Sequence, residues 1–255
     1  MRVNEIISSV EEGVDDPHIF KAVFMAGGPG SGKSRIVNSP ILKGGGLRVV
    51  NSDDIYEYKM GKEGLDYGDP DVVYSDKGQE IRGRAKEVTA KREQMYLNGR
   101  LGVIIDGTGR DVSKIVGAKE KLTQMGYQCM MVFVNTSLDV AQERNLNRKR
   151  TLKPEEVSKM WNEAQNNMKK YQQIFGEIRF QVVDNNGDLE DPDRKKNFET
   201  VQKYVTAFVN APVTNRFAKE WIENERQNKV RRVSSPDLKN TDTPATITPT
   251  SDENE

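Results

Sequence analysis

The chain has 255 residues, and its 39 Lys plus Arg balance its 39 Asp plus Glu, so the formal net charge is zero. With this balance, the overall charge does not by itself require a nucleic-acid or membrane partner. The single cysteine, Cys129, excludes an intramolecular disulfide. No apolar run approaches the length of a transmembrane helix, and the first residues lack the apolar core of a signal peptide. We therefore expect a cytoplasmic protein with no membrane partner.

The first predicted elements are an amphipathic helix over residues 2–12 and a buried strand over residues 19–26 (IFKAVFMA). The strand leads into residues 27–34 (GGPGSGKS), which match the phosphate-binding pattern G-x-x-x-x-G-K-[ST] at every fixed position. Residues 34–37 can then open a helix, so the strand, loop and helix that the motif needs are all present.

The chemistry of this loop follows from its residue types. Glycines let backbone N–H groups converge on phosphate oxygens, and the N-terminus of the following helix adds partial positive charge. Lys33 would reach the β- and γ-phosphates of ATP, and the Ser34 hydroxyl would ligate Mg²⁺. A chance glycine turn is the alternative, but the flanking elements favour nucleotide binding.

A second strand is predicted over residues 47–51 (LRVVN), and two carboxylates, Asp53 and Asp54, follow it closely. In parallel α/β sheets the carboxyl ends of the strands face the ligand crevice, so these side chains are candidates for chemistry. Alternatively, one of them caps the helix that begins near Ile55. Both interpretations can hold, with one residue in each role.

Residues 56–80, which we call the insertion, are acidic and carry interleaved tyrosines with little periodicity. This pattern indicates either a long loop or a small helical insertion beside the acceptor side of the site. A solvated acidic surface is the alternative. A helix is predicted over residues 79–97.

The third strand, residues 101–105, ends at Asp106, which is placed to be a second anchor for Mg²⁺. A helix over residues 111–125 and a fourth strand over residues 128–135 follow. The next helix opens near Ser137 and carries three arginines, Arg144, Arg148 and Arg150.

Residues 144–155, which we call the lid, contain five basic residues from Arg144 to Lys153 and no acid among them. The run is either a solvated face or a set of side chains that neutralise charge on a transferring phosphoryl group. Pro154 opens a helix whose apolar stripe indicates core packing.

A fifth strand over residues 177–183 leads into residues 184–188, a candidate loop beside the adenine base. Residues 233–255 are polar and contain few apolar side chains to bury, which is typical of a disordered segment. The predicted organisation is an N-terminal helix and lead-in (1–18), a main domain (19–210), an outlying helix (211–232) and a disordered tail (233–255).

Four segments, GGPGSGKS, VVNSDD, VIIDGTG and RNLNRKR, stand in this order along the chain. Together they resemble the P-loop kinase group that includes polynucleotide 5′-hydroxyl kinases and zeta-toxin-type kinases, over about residues 19–190. The resemblance implies an α/β P-loop NTPase fold, with a mostly parallel five-stranded sheet flanked by helices and with a helical lid. It also implies ATP and Mg²⁺ as cofactors.

The resemblance implies a general base at Asp53, which receives the proton of an acceptor hydroxyl, and a threonine near the acceptor end at Thr108. The implied catalytic residues are Lys33, Asp53, Arg144 and Arg148. The implied nucleotide-binding residues are Gly28, Pro29, Gly30, Ser31, Gly32, Lys33, Ser34 and Arg150. The implied metal residues are Ser34 and Asp106.

The implied activity is transfer of the γ-phosphoryl group to a hydroxyl, with a nucleic-acid 5′-hydroxyl as first choice. The alternatives are a modified base in DNA, a nucleotide or a nucleotide sugar. The chain departs from the polynucleotide kinases at Tyr56, where they place an arginine, and in the shifted acid Asp106. A non-catalytic nucleotide-binding module is the rival class, although it would need neither a base nor lid arginines.

Overall fold

The computed structural model describes residues 13–39, 42, 46–148, 150–187 and 191–234. The predicted helix over residues 2–12 lies outside these ranges, as does the predicted tail beyond residue 234. None of the described helices combines the length and the apolar composition that crossing a lipid bilayer requires.

The core of the fold is one parallel sheet. Its strands are β1 (Lys21–Ala26), β2 (Arg48–Val50), β3 (Val103–Asp106), β4 (Gln128–Asn135) and β5 (Phe180–Asp184). They lie in the order β2-β3-β1-β4-β5, and all four pairings are parallel. The predicted five-stranded sheet is confirmed, and it contains no antiparallel strand among the described residues.

Helices cover both faces of this sheet. They are α1 (Lys33–Val37), α2 (Asp53–Lys62), α3 (Pro70–Tyr74), α4 (Asp76–Asn98), α5 (Val112–Gln124), α6 (Leu138–Leu146), α7 (Pro154–Phe175), α8 (Pro192–Asn210) and α9 (Arg216–Ser234). The side chains of β1 alternate between the two faces, since Phe24 belongs to one core cluster and Met25 to the other. Every residue of β1 is buried, which explains its continuous apolar run.

The insertion is helical, so the second of the two predicted alternatives holds. It includes most of α2, all of α3 and the start of α4. Asp69 and Ser75 cap α3 and α4 through their side chains. A separate small core forms between these helices, from Ile55, Tyr56, Met60, Val73, Ile81 and Ala85.

The predicted fifth strand begins too early. Glu177–Arg179 forms a 3₁₀ turn after Gly176, which has φ of 79°, and the strand itself starts at Phe180. Gly176 ends α7 in a backbone conformation that residues with a side chain rarely adopt. The chain then forms the 3₁₀ turn before the strand begins.

A buried lysine lies at the start of β1. Lys21 is 1% exposed, and its Nζ donates to Gln128 Oε1 at 2.5 Å and lies 5.3 Å from the centre of the Phe208 ring. No carboxylate forms an ion pair with it among the described residues. Burial, assisted by the charge of Arg179, lowers the pKa of Lys21 to about 8.

We predict that Lys21→Met stabilises the protein at pH 7 by about 1 kcal/mol, or roughly 2–4 °C in Tm, because the native state no longer buries a charge. The unfolded lysine keeps its proton up to about pH 10.5, whereas the native lysine loses it above about pH 8. Between these values the unfolded state binds more protons, so wild-type stability rises with pH. The advantage of Lys21→Met should therefore shrink from pH 8 to pH 10.

Thermal unfolding at pH 7, 8, 9 and 10 checks this expectation. Lys114→Met, on the exposed face of α5, is the matched control and should show no pH-dependent difference. A Lys21→Met protein with wild-type Tm at every pH would contradict the cost assigned to the buried charge.

Candidate functional site

The glycine-rich loop between β1 and α1 is clamped from two sides. Gly30 and Gly32 have φ of 72° and 86°, which favours glycine. A Cβ on Gly30 would collide with the Ala141 carbonyl oxygen on α6, and a Cβ on Gly32 would collide with the Asn185 side chain. The two glycines therefore fix the loop against α6 and against the loop after β5.

Lys33 is the first residue of α1, and its side chain lies over the loop. Nζ donates to Gly27 O at 2.6 Å and to Gly28 O at 3.2 Å. Burial lowers the pKa of Lys33, while the charge of Asp106 and more weakly that of Asp53 oppose this shift. The structure thus brings together predicted residues from the ends of three strands.

An unpredicted residue, Asn51, links the Asp106 carboxylate to the backbone at the start of α2. Its Nδ2 donates to Asp106 Oδ2 at 2.9 Å, and its Oδ1 accepts from the Asp53 N–H at 2.8 Å. Asn51 therefore does at the start of α2 what a capping side chain does. The cap role considered for Asp53 or Asp54 is wrong, because Asp53 is already helical and Ser52 holds the N-cap position without a side-chain bond.

The other oxygen of Asp106, Oδ1, is buried and has no hydrogen-bond partner among the described residues. Burial raises the pKa of Asp106, and the Lys33 ammonium counteracts the shift. An unpartnered carboxylate oxygen beside the glycine-rich loop fits a ligand to a divalent cation.

The described residues contain no group of three or more His, Cys, Asp or Glu that could hold a metal without help. Mg²⁺ is commonly bound by one or two protein oxygens, with phosphates and water completing the shell. Asp106, at the end of β3, and Ser34, in the first turn of α1, fit a Mg²⁺ of this kind that arrives with a nucleotide.

The lid is fixed to α6 by Asn145, which is fully buried. Its Nδ2 donates to Leu152 O at 2.8 Å, and its Oδ1 accepts from the Leu152 N–H at 3.0 Å. Burial lowers the pKa of Arg144, with the charges of Arg194 and Arg35 contributing, and one of its terminal nitrogens is buried without a hydrogen-bond partner in the described part of the chain. Arg144 Nη1 lies 3.9 Å from the position that a Cβ on Gly32 would occupy, so Arg144 faces the glycine-rich loop.

The other two lid arginines are placed differently. Arg148 is exposed, and its charge contributes to the lowered pKa of Lys33. Arg150 instead donates to the Tyr67 hydroxyl at 3.1 Å, on the insertion. The structure therefore places Arg144 at the glycine-rich loop and Arg150 against the insertion.

Two further contacts were not visible in the sequence. Asn185, after β5, is buried, and its Nδ2 donates to Ser31 O at 2.6 Å while Arg194 donates to its Oδ1. On α7, Asn167 Nδ2 and the Tyr171 hydroxyl donate to Gly109 O at 3.2 Å and 2.8 Å. The apolar stripe of α7 predicts core packing alone, but α7 also holds the segment after Asp106.

The segment after Asp106 is joined to the glycine-rich loop by the backbone. The Gly27 N–H donates to Thr108 O at 3.3 Å, and the Gly107 N–H donates to Met25 O at 3.1 Å. A glycine-rich loop between a central strand and a helix, beside a strand-end carboxylate, defines a P-loop NTPase-type domain.

The chain belongs to the AAA domain family AAA_33, whose model matches residues 23–173, more than half of its length. No curated protein sequence matches it. This family match supports the P-loop kinase-like core of the resemblance, whereas the polynucleotide kinase group stays a prediction.

Two solved structures have a similar fold. One is from the PezAT chromosomal toxin-antitoxin system of Streptococcus pneumoniae, at 16% identity and a TM-score of 0.50, covering 91% of this chain and 98% of that one. The other is the AvrRxo1-ORF1:AvrRxo1-ORF2 structure with sulphate ions, at 14% identity and a TM-score of 0.51, covering 90% and 81%. At these identities the likeness shows the fold alone.

We predict that Asn51→Leu weakens Mg²⁺ binding in the presence of ATP by about tenfold or more, because partners that orient a metal ligand typically contribute 10–100-fold to metal affinity. The measurement is the Mg²⁺ concentration that half-saturates the thermal stabilisation by ATP. Asn162→Leu is the control, at an exposed α7 position whose side-chain amide donates to Ser158 O and to nothing else among the described residues. A wild-type Mg²⁺ curve for Asn51→Leu would contradict the orienting role.

Proposed function

We propose that this protein is an ATP-dependent kinase that transfers the γ-phosphoryl group to a hydroxyl acceptor. The observation that carries the proposal is the convergence of Lys33, Asp53 and Asp106, from three separate segments: Asn51 bonds to both the Asp106 carboxylate and the Asp53 N–H, and the loop that Lys33 contacts is bonded to the segment after Asp106. A cation, an exposed carboxylate and a buried carboxylate at one edge are the groups that phosphoryl transfer needs.

The nucleotide half of the site is proposed from residues 28–34 and the lid. Loop amides hold the phosphates, and Lys33 moves from the loop carbonyls to phosphate oxygens. Arg144 and Arg148 neutralise charge on the transferring group; neither forms an ion pair among the described residues. Mg²⁺, when bound, would neutralise further phosphate charge, and Ser34 and Asp106 would hold it.

The acceptor half is proposed around Asp53. The acceptor oxygen attacks the γ-phosphorus, the bond to the bridging oxygen of ADP breaks, and the hydroxyl proton passes to the Asp53 carboxylate. Asp53 is exposed in the first turn of α2, so an acceptor can reach it. Because the reaction needs little covalent help, positioning and charge should supply most of the rate.

The first choice of acceptor is a nucleic-acid 5′-hydroxyl; a modified base in DNA, a nucleotide and a nucleotide sugar are the alternatives. Tyr56 argues against assigning the acceptor-binding arginine of the polynucleotide kinases to this chain. It is 1% exposed and packs in the insertion core, so it cannot replace an arginine that contacts the acceptor.

The direct test is incubation with γ-labelled ATP and a panel of acceptors. The panel contains 5′-hydroxyl oligonucleotides, DNA with hydroxymethylated bases, nucleosides, nucleotides and nucleotide sugars. Label on one class identifies the acceptor, and Lys33→Ala should abolish it. ATP binding without label on any member would favour the nucleotide-binding module.

We predict that Asp53→Asn lowers the transfer rate about 10²–10⁴-fold, because Asn keeps the size but cannot accept the hydroxyl proton. ATP affinity should change by less than about twofold, since the loop holds the phosphates from the other side. Single-turnover transfer and equilibrium ATP binding measure the two quantities.

Asp54→Asn is the matched control, since Asp54 is exposed beside Asp53 on the same helix turn. It should retain nearly full activity. Full activity in Asp53→Asn together with a large loss in Asp54→Asn would move the base to Asp54.

A further inference from the structure

The lid and the insertion meet at Arg150 and Tyr67. Arg150 Nη1 donates to the Tyr67 hydroxyl at 3.1 Å, and its guanidinium carbon lies 5.3 Å from the centre of the Tyr67 ring. The tyrosine thus contacts the arginine through both its hydroxyl and its ring. This geometry fixes the direction of a side chain that is otherwise long and flexible.

Tyr67 is itself held rigidly. Its ring packs edge-on against Tyr56, with centroids 5.3 Å apart and an interplanar angle of 80°. Tyr56 is buried in the insertion core, and its hydroxyl donates to Val73 O at 3.4 Å. The insertion therefore holds Tyr67 in one orientation, and Arg150 packs against it.

The charge of Arg150 is not neutralised by this contact. Its partner is a neutral phenol, and within the described ranges no carboxylate lies within ion-pair distance of its guanidinium. A guanidinium has five N–H donors, so most of them remain available for oxygen atoms of a bound molecule.

Asp53 acts on the same two tyrosines. Asp53 lies three residues before Tyr56 on α2, about one helical turn away, and Tyr56 packs against Tyr67. Burial raises the pKa of both tyrosines, the charge of Asp53 adds to each shift, and the charge of Arg150 opposes each. Arg144, by contrast, lies at the glycine-rich loop, where its Nη1 is 3.9 Å from the position that a Cβ on Gly32 would occupy. Arg150 therefore lies with the proposed base, and Arg144 lies with the phosphates.

We infer that Arg150 binds the hydroxyl acceptor and not ATP, and that Tyr67 is the residue that positions it. The inference rests on the proposed kinase function and changes the nucleotide-binding role that the resemblance implied for Arg150. The bound acceptor lies between Asp53 and Arg150, with its oxygen atoms accepting from the guanidinium.

The test separates ATP affinity from acceptor KM. Arg150→Ala and Tyr67→Leu should each raise the KM of the acceptor found in the labelling panel by about 10-fold or more, as expected for loss of a charge-assisted hydrogen bond. The Kd of ATP, measured by calorimetry, should stay within about twofold. Tyr67→Phe, which keeps the ring and loses the hydroxyl, should give a smaller rise.

Two controls make the test specific. Tyr58→Leu changes an exposed tyrosine of the insertion and should leave both constants unchanged. Arg148→Ala should change transfer without the same rise in acceptor KM. If Tyr67 acts by positioning Arg150, the double variant Tyr67→Leu/Arg150→Ala should be no worse than Arg150→Ala, since coupled residues are not additive.

The inference would be overturned if Arg150→Ala weakened ATP binding and left the acceptor KM unchanged. That result would restore the nucleotide-binding role of Arg150. An Arg150→Ala effect without a Tyr67→Leu effect would remove the positioning role of Tyr67. A wild-type protein that binds ATP but labels no acceptor would instead contradict the kinase proposal, and the inference with it.

Discussion

The position of β1 in the middle of a parallel sheet determines every other feature of the site. Because β3 and β4 both pair in parallel with it, their carboxyl ends open at one edge. The glycine-rich loop follows β1, Asp106 ends β3, and the segment to Asp53 follows β2. An antiparallel strand in this set would deliver its terminal residues to the far edge, and the carboxylates would lie about a strand length from the loop.

The buried charges of the site destabilise the protein without a ligand, and a bound ligand would offset this cost. Lys33 and Asp106 are each disfavoured by burial and each favoured by the other's charge. Among the described residues, Arg144 has a buried nitrogen and Asp106 a buried oxygen without a hydrogen-bond partner. Unpaired buried polar atoms are destabilising, so the position of these two beside the glycine-rich loop favours ligand binding over structural support.

The two walls of the site are supported independently. The nucleotide side depends on the main sheet, through Asn185 against Ser31 and through α7 against Gly109. The proposed acceptor side depends on the small core of the insertion, which fixes Tyr56 and Tyr67. Because the insertion has its own core, this side can change in sequence while the glycine-rich loop stays intact.

The sequence alone determined the fold class, the position of the loop and the strand-end carboxylates, because these depend on local pattern. A buried parallel strand requires a continuous apolar run, and a phosphate loop requires glycines at fixed spacing. The sequence could not identify Asn51 or Asn185, since an asparagine side chain has no periodicity and Asn185 bonds to a residue 154 positions away. It could not separate Arg150 from Arg144 either, because both belong to one basic run. Only the tertiary structure decided between them, by packing the insertion against one end of the lid and the glycine-rich loop against the other.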